Sequence, residues 1–161
     1  MAGPIARWIL RRVIKSAMAF ETDSIELYRR LVGQMAGEAA PSKSCREELH
    51  ASLCHLMEEE QEHWRLLQDA STGRLSVEEL ERLLASHRYA QYESIEPLPP
   101  QELALWGTEL ARALAQEEKT LIFYGNLRRM SKIPVVKRAF EVLAAMEREH
   151  LEILRRLLGK G

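Results

Sequence analysis

Cysteine is almost missing from this chain: Cys45 and Cys54 are the only two among 161 residues. They stand nine residues apart on one helical stretch, on opposite faces and about 13 Å apart along the axis. A disulfide needs Cα atoms within about 7 Å, so a reduced compartment is expected. No Cys-x-x-Cys pair occurs, which excludes a cysteine-rich zinc or iron module. An excess of one charge is missing too. The 23 basic and 24 acidic residues leave a formal net charge of -1, so nothing in the electrostatics points to nucleic acid. Long apolar runs are lacking. Trp8-Ile9-Leu10 is broken off by Arg11, Arg12 and Lys15, and nothing approaches the roughly 18 apolar residues that span a bilayer. Those basic residues interrupt the apolar run instead of preceding it, so no signal peptide is expected. The expectation is a cytoplasmic protein without a transmembrane segment. Strand-period alternation and hairpin signals are absent as well.

What the chain has is helical periodicity, enough for one all-α domain over residues 1–161. A first long helix is expected from about Pro4 to Met35, ended by the small residues and proline of Gly37 to Pro41. Ser42 or Ser44 can cap a second, running to about Ala70 and stopped by Ser71-Thr72-Gly73. Ser76-Val77-Glu78-Glu79 reads as a capping box that opens a short helix to about Ser86. Pro97-Leu98-Pro99-Pro100 starts a third long helix reaching about Met130, and Pro134 starts a fourth that ends at Leu158-Gly159. The first and last links are short, so each pair is expected to form an antiparallel hairpin. The link from about Ser71 to Pro99 is long enough to travel the length of a bundle. Two hairpins joined by one long crossover is the ferritin-like four-helix arrangement.

Glu-x-x-His occurs far along the second and fourth long helices, as Glu60/His63 and Glu147/His150. At about 100° per residue, Glu60 shares its face with Leu49, Leu53, Leu56, Met57, His63, Trp64 and Leu67. Glu147 shares its face with Val136, Phe140, Leu143, Ala144, His150, Leu151, Leu154 and Leu158. Both pairs therefore sit in the middle of an apolar stripe. A carboxylate belongs there only if something compensates its charge, and metal ions are the simplest compensation for several that converge.

The first and third long helices agree. Glu21 lines up with Ile14, Ala17, Met18, Ser24, Ile25, Tyr28 and Val32, and Glu117 with Leu110, Ala113, Leu114, Thr120, Leu121 and Tyr124. The two stretches read Ala-Met-x-x-Glu-x-x-Ser-Ile-x-x-Tyr and Ala-Leu-x-x-Glu-x-x-Thr-Leu-x-x-Tyr, an internal repeat of one helical hairpin. One Glu from each of two helices plus Glu-x-x-His from each of two others is the ligand set of a carboxylate-bridged di-metal site. The expected ligands are Glu21, Glu60, His63, Glu117, Glu147 and His150. Glu60 and Glu147 are the bridging candidates, with Glu21 and Glu117 terminal. Four carboxylates and two imidazoles suit iron, or manganese, and not copper(I).

Other residues of the same types read differently. Glu47/His50 repeats the motif, but Glu47 lies roughly 140° from the Glu60 face, so that pair is assigned to the solvated surface. His55 and His87 have no partner on the site face. Glu118 adjoins Glu117 about 100° away, and the repeat selects Glu117. Tyr28 and Tyr124 can hydrogen-bond a ligand on an antiparallel neighbour or serve as core tyrosines whose hydroxyls find any acceptor. Trp64, Trp106 and Phe20 are read as packing residues.

The chain resembles the ferritin-like domain of the rubrerythrin family over nearly its whole length. The resemblance is carried by Glu21 with Tyr28, Glu60-Gln61-Glu62-His63, Glu117 with Phe123-Tyr124, and Glu147-Arg148-Glu149-His150. It implies a non-haem di-iron centre that reduces peroxide or dioxygen, often within oxidative-stress defence, and commonly a homodimer. Two departures stand out. Rubrerythrins proper carry a second glutamate three positions after the first on the third helix, where this chain has Thr120; an iron shift driven by redox state lacks that residue here. They also carry a four-cysteine, rubredoxin-like iron module, which two cysteines cannot build, so an electron donor would be a separate protein. Ferrous-iron oxidation belongs to the same reading. The alternatives are a di-iron hydroxylase of an organic substrate, with the amphipathic first helix as a lipid contact, or a metal-binding and storage bundle with little turnover.

Overall fold

The computed structural model describes residues 4–36, 43–86 and 94–160. Within them lie α1 (Pro4–Met35), α2 (Lys43–Thr72), α3 (Val77–Ser86), α4 (Pro100–Met130) and α5 (Pro134–Leu157). The link Gly37 to Pro41, the cap candidate Ser42 and His87 lie outside the described residues, as do the side chains of Ser44 and Cys45. Cys54 is a free thiol. No helix among the described residues is long and apolar enough to cross a membrane.

Local chemistry explains the boundaries. Ser76 and Glu79 form the expected reciprocal box: the Glu79 amide donates to Ser76 Oγ at 3.1 Å and the Ser76 amide donates to Glu79 Oε2 at 2.8 Å. Pro100 and Pro134 stand in the first turns of α4 and α5, where a missing N–H costs nothing. α2 and α5 end alike, each on a glycine in the left-handed region, Gly73 and Gly159. Arg74 N–H reaches Asp69 O at 2.9 Å and Lys160 N–H reaches Arg155 O at 2.7 Å. These are Schellman closures, which satisfy carbonyls that a helix end leaves open. Glu102 is buried in the first turn of α4, where a carboxylate meets the positive end of the helix dipole.

Packing follows the apolar stripes. α1 pairs with α2 and α4 with α5, while α2 touches α5 and α1 touches α4. The crossover helix α3 lies on α5, held by the fully buried Leu80. At the far end of the crossover, Leu98 N–H bonds Leu157 O at 3.0 Å. This is the ferritin-like bundle: two hairpins and one long connection. The core falls into two apolar clusters. One gathers Tyr28, Leu31, Met35, Leu49, Leu53, Trp106 and Leu110; the other gathers Ile14, Ala17, Leu67, Leu80, Tyr124, Phe140 and Leu143. Along α1 the clusters stop at Ala17 and resume at Tyr28. Glu21 falls in the gap, and that gap is a polar layer across the middle of the bundle.

Candidate metal centre

Six charged or polar side chains meet in that layer, all from the interior stripes of the four long helices. Glu21, Glu60, Glu117, Glu147 and His150 are 0 % exposed and His63 is 2 % exposed. Ligand atoms of Glu60, His63, Glu147 and His150 lie within 4.8 Å of one another. The imidazoles stack with centroids 5.1 Å apart and 15° between their planes, and both turn Nδ1 toward the carboxylates. His63 Nδ1 lies 3.2 Å from Glu147, 3.4 Å from Glu21 and 3.8 Å from Glu60. His150 Nδ1 lies 2.8 Å from Glu60, 3.6 Å from Glu147 and 4.0 Å from Glu117. Glu60 and Glu147 therefore stand between the two rings. Glu21 flanks His63, and Glu117 flanks His150.

The two tyrosines cross the bundle reciprocally. Tyr28 of α1 donates to Glu117 Oε1 of α4, and Tyr124 of α4 donates to Glu21 Oε1 of α1. Each tyrosine lies seven residues beyond the glutamate of its own helix, so this reciprocity requires α1 and α4 to run antiparallel. It ties down one oxygen of each flanking glutamate and leaves Oε2 of Glu21 and Oε2 of Glu117 without a hydrogen-bond partner. Both oxygens of Glu60, both of Glu147, and Nδ1 of both histidines are orphaned in the same way: they approach one another without hydrogen-bond alignment. Buried polar atoms are almost always paired. A converging set of carboxylate oxygens and imidazole nitrogens without partners fits cations held between them, and the donor set is hard to intermediate, as iron or manganese requires.

The electrostatics of the layer are those of crowded charge in low dielectric. Burial raises Glu21, Glu60 and Glu117 well above the ordinary carboxylate range, and the field of Glu147 adds to it in each. Burial pushes Glu147 the same way, but the His63 contact and the charges on His150 and His63 outweigh it and hold that carboxyl low. Burial would lower His150, yet its contacts with Glu59 and Glu60 raise it well above the usual imidazole range. Protons and any metal ion held there would compete for one set of atoms.

The remaining sequence candidates are placed elsewhere. Glu47 and His50 are exposed, and His50 lies against Cys54 with Nδ1 3.7 Å from Sγ. Glu118 points away from the layer and pairs with Arg155 at 3.2 Å. Thr120 is buried, its hydroxyl donating to Gln116 O at 3.1 Å. Trp106 packs in the first cluster, and Phe20 stacks on Phe123 at 4.8 Å. One functional residue escaped the sequence reading. Glu59 Oε2 lies 3.0 Å from His150 Nε2, and its other oxygen is 3.6 Å from His55 Nε2, a contact made off the site face. Glu59 sits about 100° off the Glu60 face, and the one signal was a histidine four residues before it.

Residues 109–161, most of α4 and all of α5, match the rubrerythrin family. Searches of curated proteins and of solved structures gave no match.

Proposed function

We propose that the polar layer binds two iron ions and that the protein reduces peroxide or dioxygen there, drawing electrons from a separate donor protein. The observation that carries this reading is the arrangement of the donors: Glu60 and Glu147 each approach both imidazoles, while Glu21 flanks one and Glu117 the other. Glu60 and Glu147 would be shared between the two ions, with Glu21 and His63 holding one and Glu117 and His150 the other. Held there, two ferrous ions would together supply the two electrons that reduction of an O–O bond takes up. Overall, hydrogen peroxide, two electrons and two protons give two waters. The chain's part is to hold and orient. Tyr28 and Tyr124 fix the rotamers of the terminal carboxylates, and the apolar clusters on either side keep bulk water from the layer. The rubrerythrin-type second hairpin supports the same chemistry.

Anaerobic loading with ferrous iron followed by metal counting tests it. Two irons per chain are expected in the parent and fewer in Glu60→Ala and in Glu147→Ala, since each removes an anchor shared by both ions. The surface pair is the control: Glu47→Gln with His50→Ala keeps two. Equal loading in every protein would sink the proposal. Challenge of the loaded parent with peroxide and a reductant should give steady turnover. Oxygen from O₂ appearing in an organic product would move the reading to a hydroxylase, and stable iron without turnover would move it to storage.

A further inference from the structure

The two halves of the layer are not equally braced. On α2, the residue just before the Glu-x-x-His glutamate is Glu59, and its carboxylate holds His150 of the opposite hairpin at Nε2. The residue in the same place on α5 is Met146, a partly buried side chain packed on the second apolar cluster, whose thioether is only a weak, uncharged acceptor. His63 Nε2 correspondingly has no hydrogen-bond partner among the described residues, although it is fully shielded from solvent. We infer that the two metal positions are built unequal. Glu59 positions His150, and the position served by His150 and Glu117 binds its ion more tightly than the one served by His63 and Glu21. This rests on the di-metal reading above.

The physical chain is short. A carboxylate that accepts from Nε2–H fixes the imidazole as the tautomer whose Nδ1 lone pair faces the ion. It also sets the ring plane and makes Nδ1 a stronger donor; loss of such a partner typically costs 10–100-fold in metal affinity. Glu59 is itself anchored. Its outer oxygen lies 3.6 Å from His55, a residue whose side chain is 43 % exposed, so the carboxylate is stretched between the surface and the layer. His63 has three carboxylates, Glu21, Glu60 and Glu147, on its Nδ1 side and nothing among the described residues that selects a tautomer on the other.

Titration of metal-free protein with cobalt(II), followed by the visible spectrum of the bound ion, reads the two positions separately. The parent should fill in two steps whose dissociation constants differ by about 10–100-fold. Glu59→Ala should weaken the tighter step by that factor, leave the weaker one in place and merge the two. Glu59→Gln keeps an acceptor without the charge and should fall between them. Because Glu59 lies at the edge of the core, both variants are expected to keep the parent's helical circular dichroism. A second readout does not depend on affinity. In the zinc-loaded parent, the His150 Nε2 proton should exchange slowly with solvent; Glu59→Ala should abolish that protection and leave the His63 signal unchanged. A parent that binds two ions with one affinity, or a Glu59→Ala variant that weakens both steps alike, overturns this inference alone. A parent that binds no metal overturns the di-metal reading with it.

Discussion

The first hairpin, α1 with α2, and the second, α4 with α5, bring the same three residue types to the layer, one Glu and one Glu-x-x-His each, yet they are packed by different means. In the second hairpin the stripe of α5 is buried almost throughout, from Val136 to Leu157, and the crossover helix α3 adds a further cover. In the first hairpin no crossover helix lies on α2 among the described residues, and its side chains between His63 and the helix end are more often half-exposed or exposed. The position one heptad before Glu60 and before Glu147 shows the contrast in side-chain volume. It is Leu53 in α2 and Phe140 in α5, both 1 % exposed. A metal site constrains identity, because only certain atoms ligate. A core constrains volume and polarity, and many side chains satisfy it.

The largest expected effect tests that contrast directly. Phe140 stacks on Tyr124 with ring centroids 5.6 Å apart, and Tyr124 holds Glu21. Phe140→Ala should cost about 3–5 kcal/mol of unfolding free energy, and by loosening Tyr124 it should weaken the ion at the His63 position as well. Leu53→Ala should cost about 2–5 kcal/mol and leave metal affinity near the parent value. Chemical denaturation of the metal-free proteins gives the first quantity and metal titration the second. If Leu53→Ala disturbs metal binding as much as Phe140→Ala, the two hairpins brace the site equally and the contrast fails.

A smaller effect separates the two tyrosines. Tyr28→Phe frees one oxygen of Glu117, beside His150, and Tyr124→Phe frees one oxygen of Glu21, beside His63. Each should weaken one ion by about tenfold, at the low end of what lost supporting hydrogen bonds cost, and keep the stoichiometry of the parent. The signature is which step moves. Tyr28→Phe should shift the step that Glu59→Ala shifts, and Tyr124→Phe the other. A common shift of both steps by either variant would mean that the layer responds as one unit.

Much of this was legible in the sequence because the site and the core use one register. Each long helix carries its residues of the polar layer on the apolar stripe, so the 3.6-residue period that finds the core also finds Glu21, Glu60, Glu117 and Glu147. Proline at first turns and glycine after last turns placed the boundaries of α4, α5 and α2 to within about two residues. What register cannot see is contact between helices at the stripe's edge. Glu59 looks like a surface glutamate until α5 is laid beside α2 and His150 reaches it. Glu149 is likewise a glutamate off the site face, buried although its neighbour Arg148 is exposed. Tyr28 and Tyr124 lie between these cases: their burial followed from the period, while their acceptors depended on the direction in which α1 passes α4.

The smallest effect concerns the helix that makes the hairpins unequal. α3 is started by the Ser76–Glu79 box, and the Ser76 amide, followed by its hydroxyl, lowers the Glu79 carboxyl below its ordinary range. A carboxyl whose folded pKa is depressed stabilises the folded form above its unfolded pKa of about 4.3, and that contribution is lost as pH falls through the lower, folded value. Amide protection of α3, corrected for intrinsic exchange, should therefore decline below about pH 4. The decline should precede any loss in the hairpins, because α3 is short and is held by one buried face around Leu80. Ser76→Ala should remove the side-chain cap at neutral pH, cost about 0.5–2 kcal/mol of helix stability and reduce the pH dependence of α3 without abolishing it, since Glu79 loses the hydroxyl but keeps the backbone amide. Should α3 keep the parent's protection in Ser76→Ala, the box is ornamental and the crossover is fixed by Leu80 alone. Should the second hairpin open together with α3, its deeper burial depends on that cover, and the difference between the hairpins lies in the crossover more than in the stripe of α5.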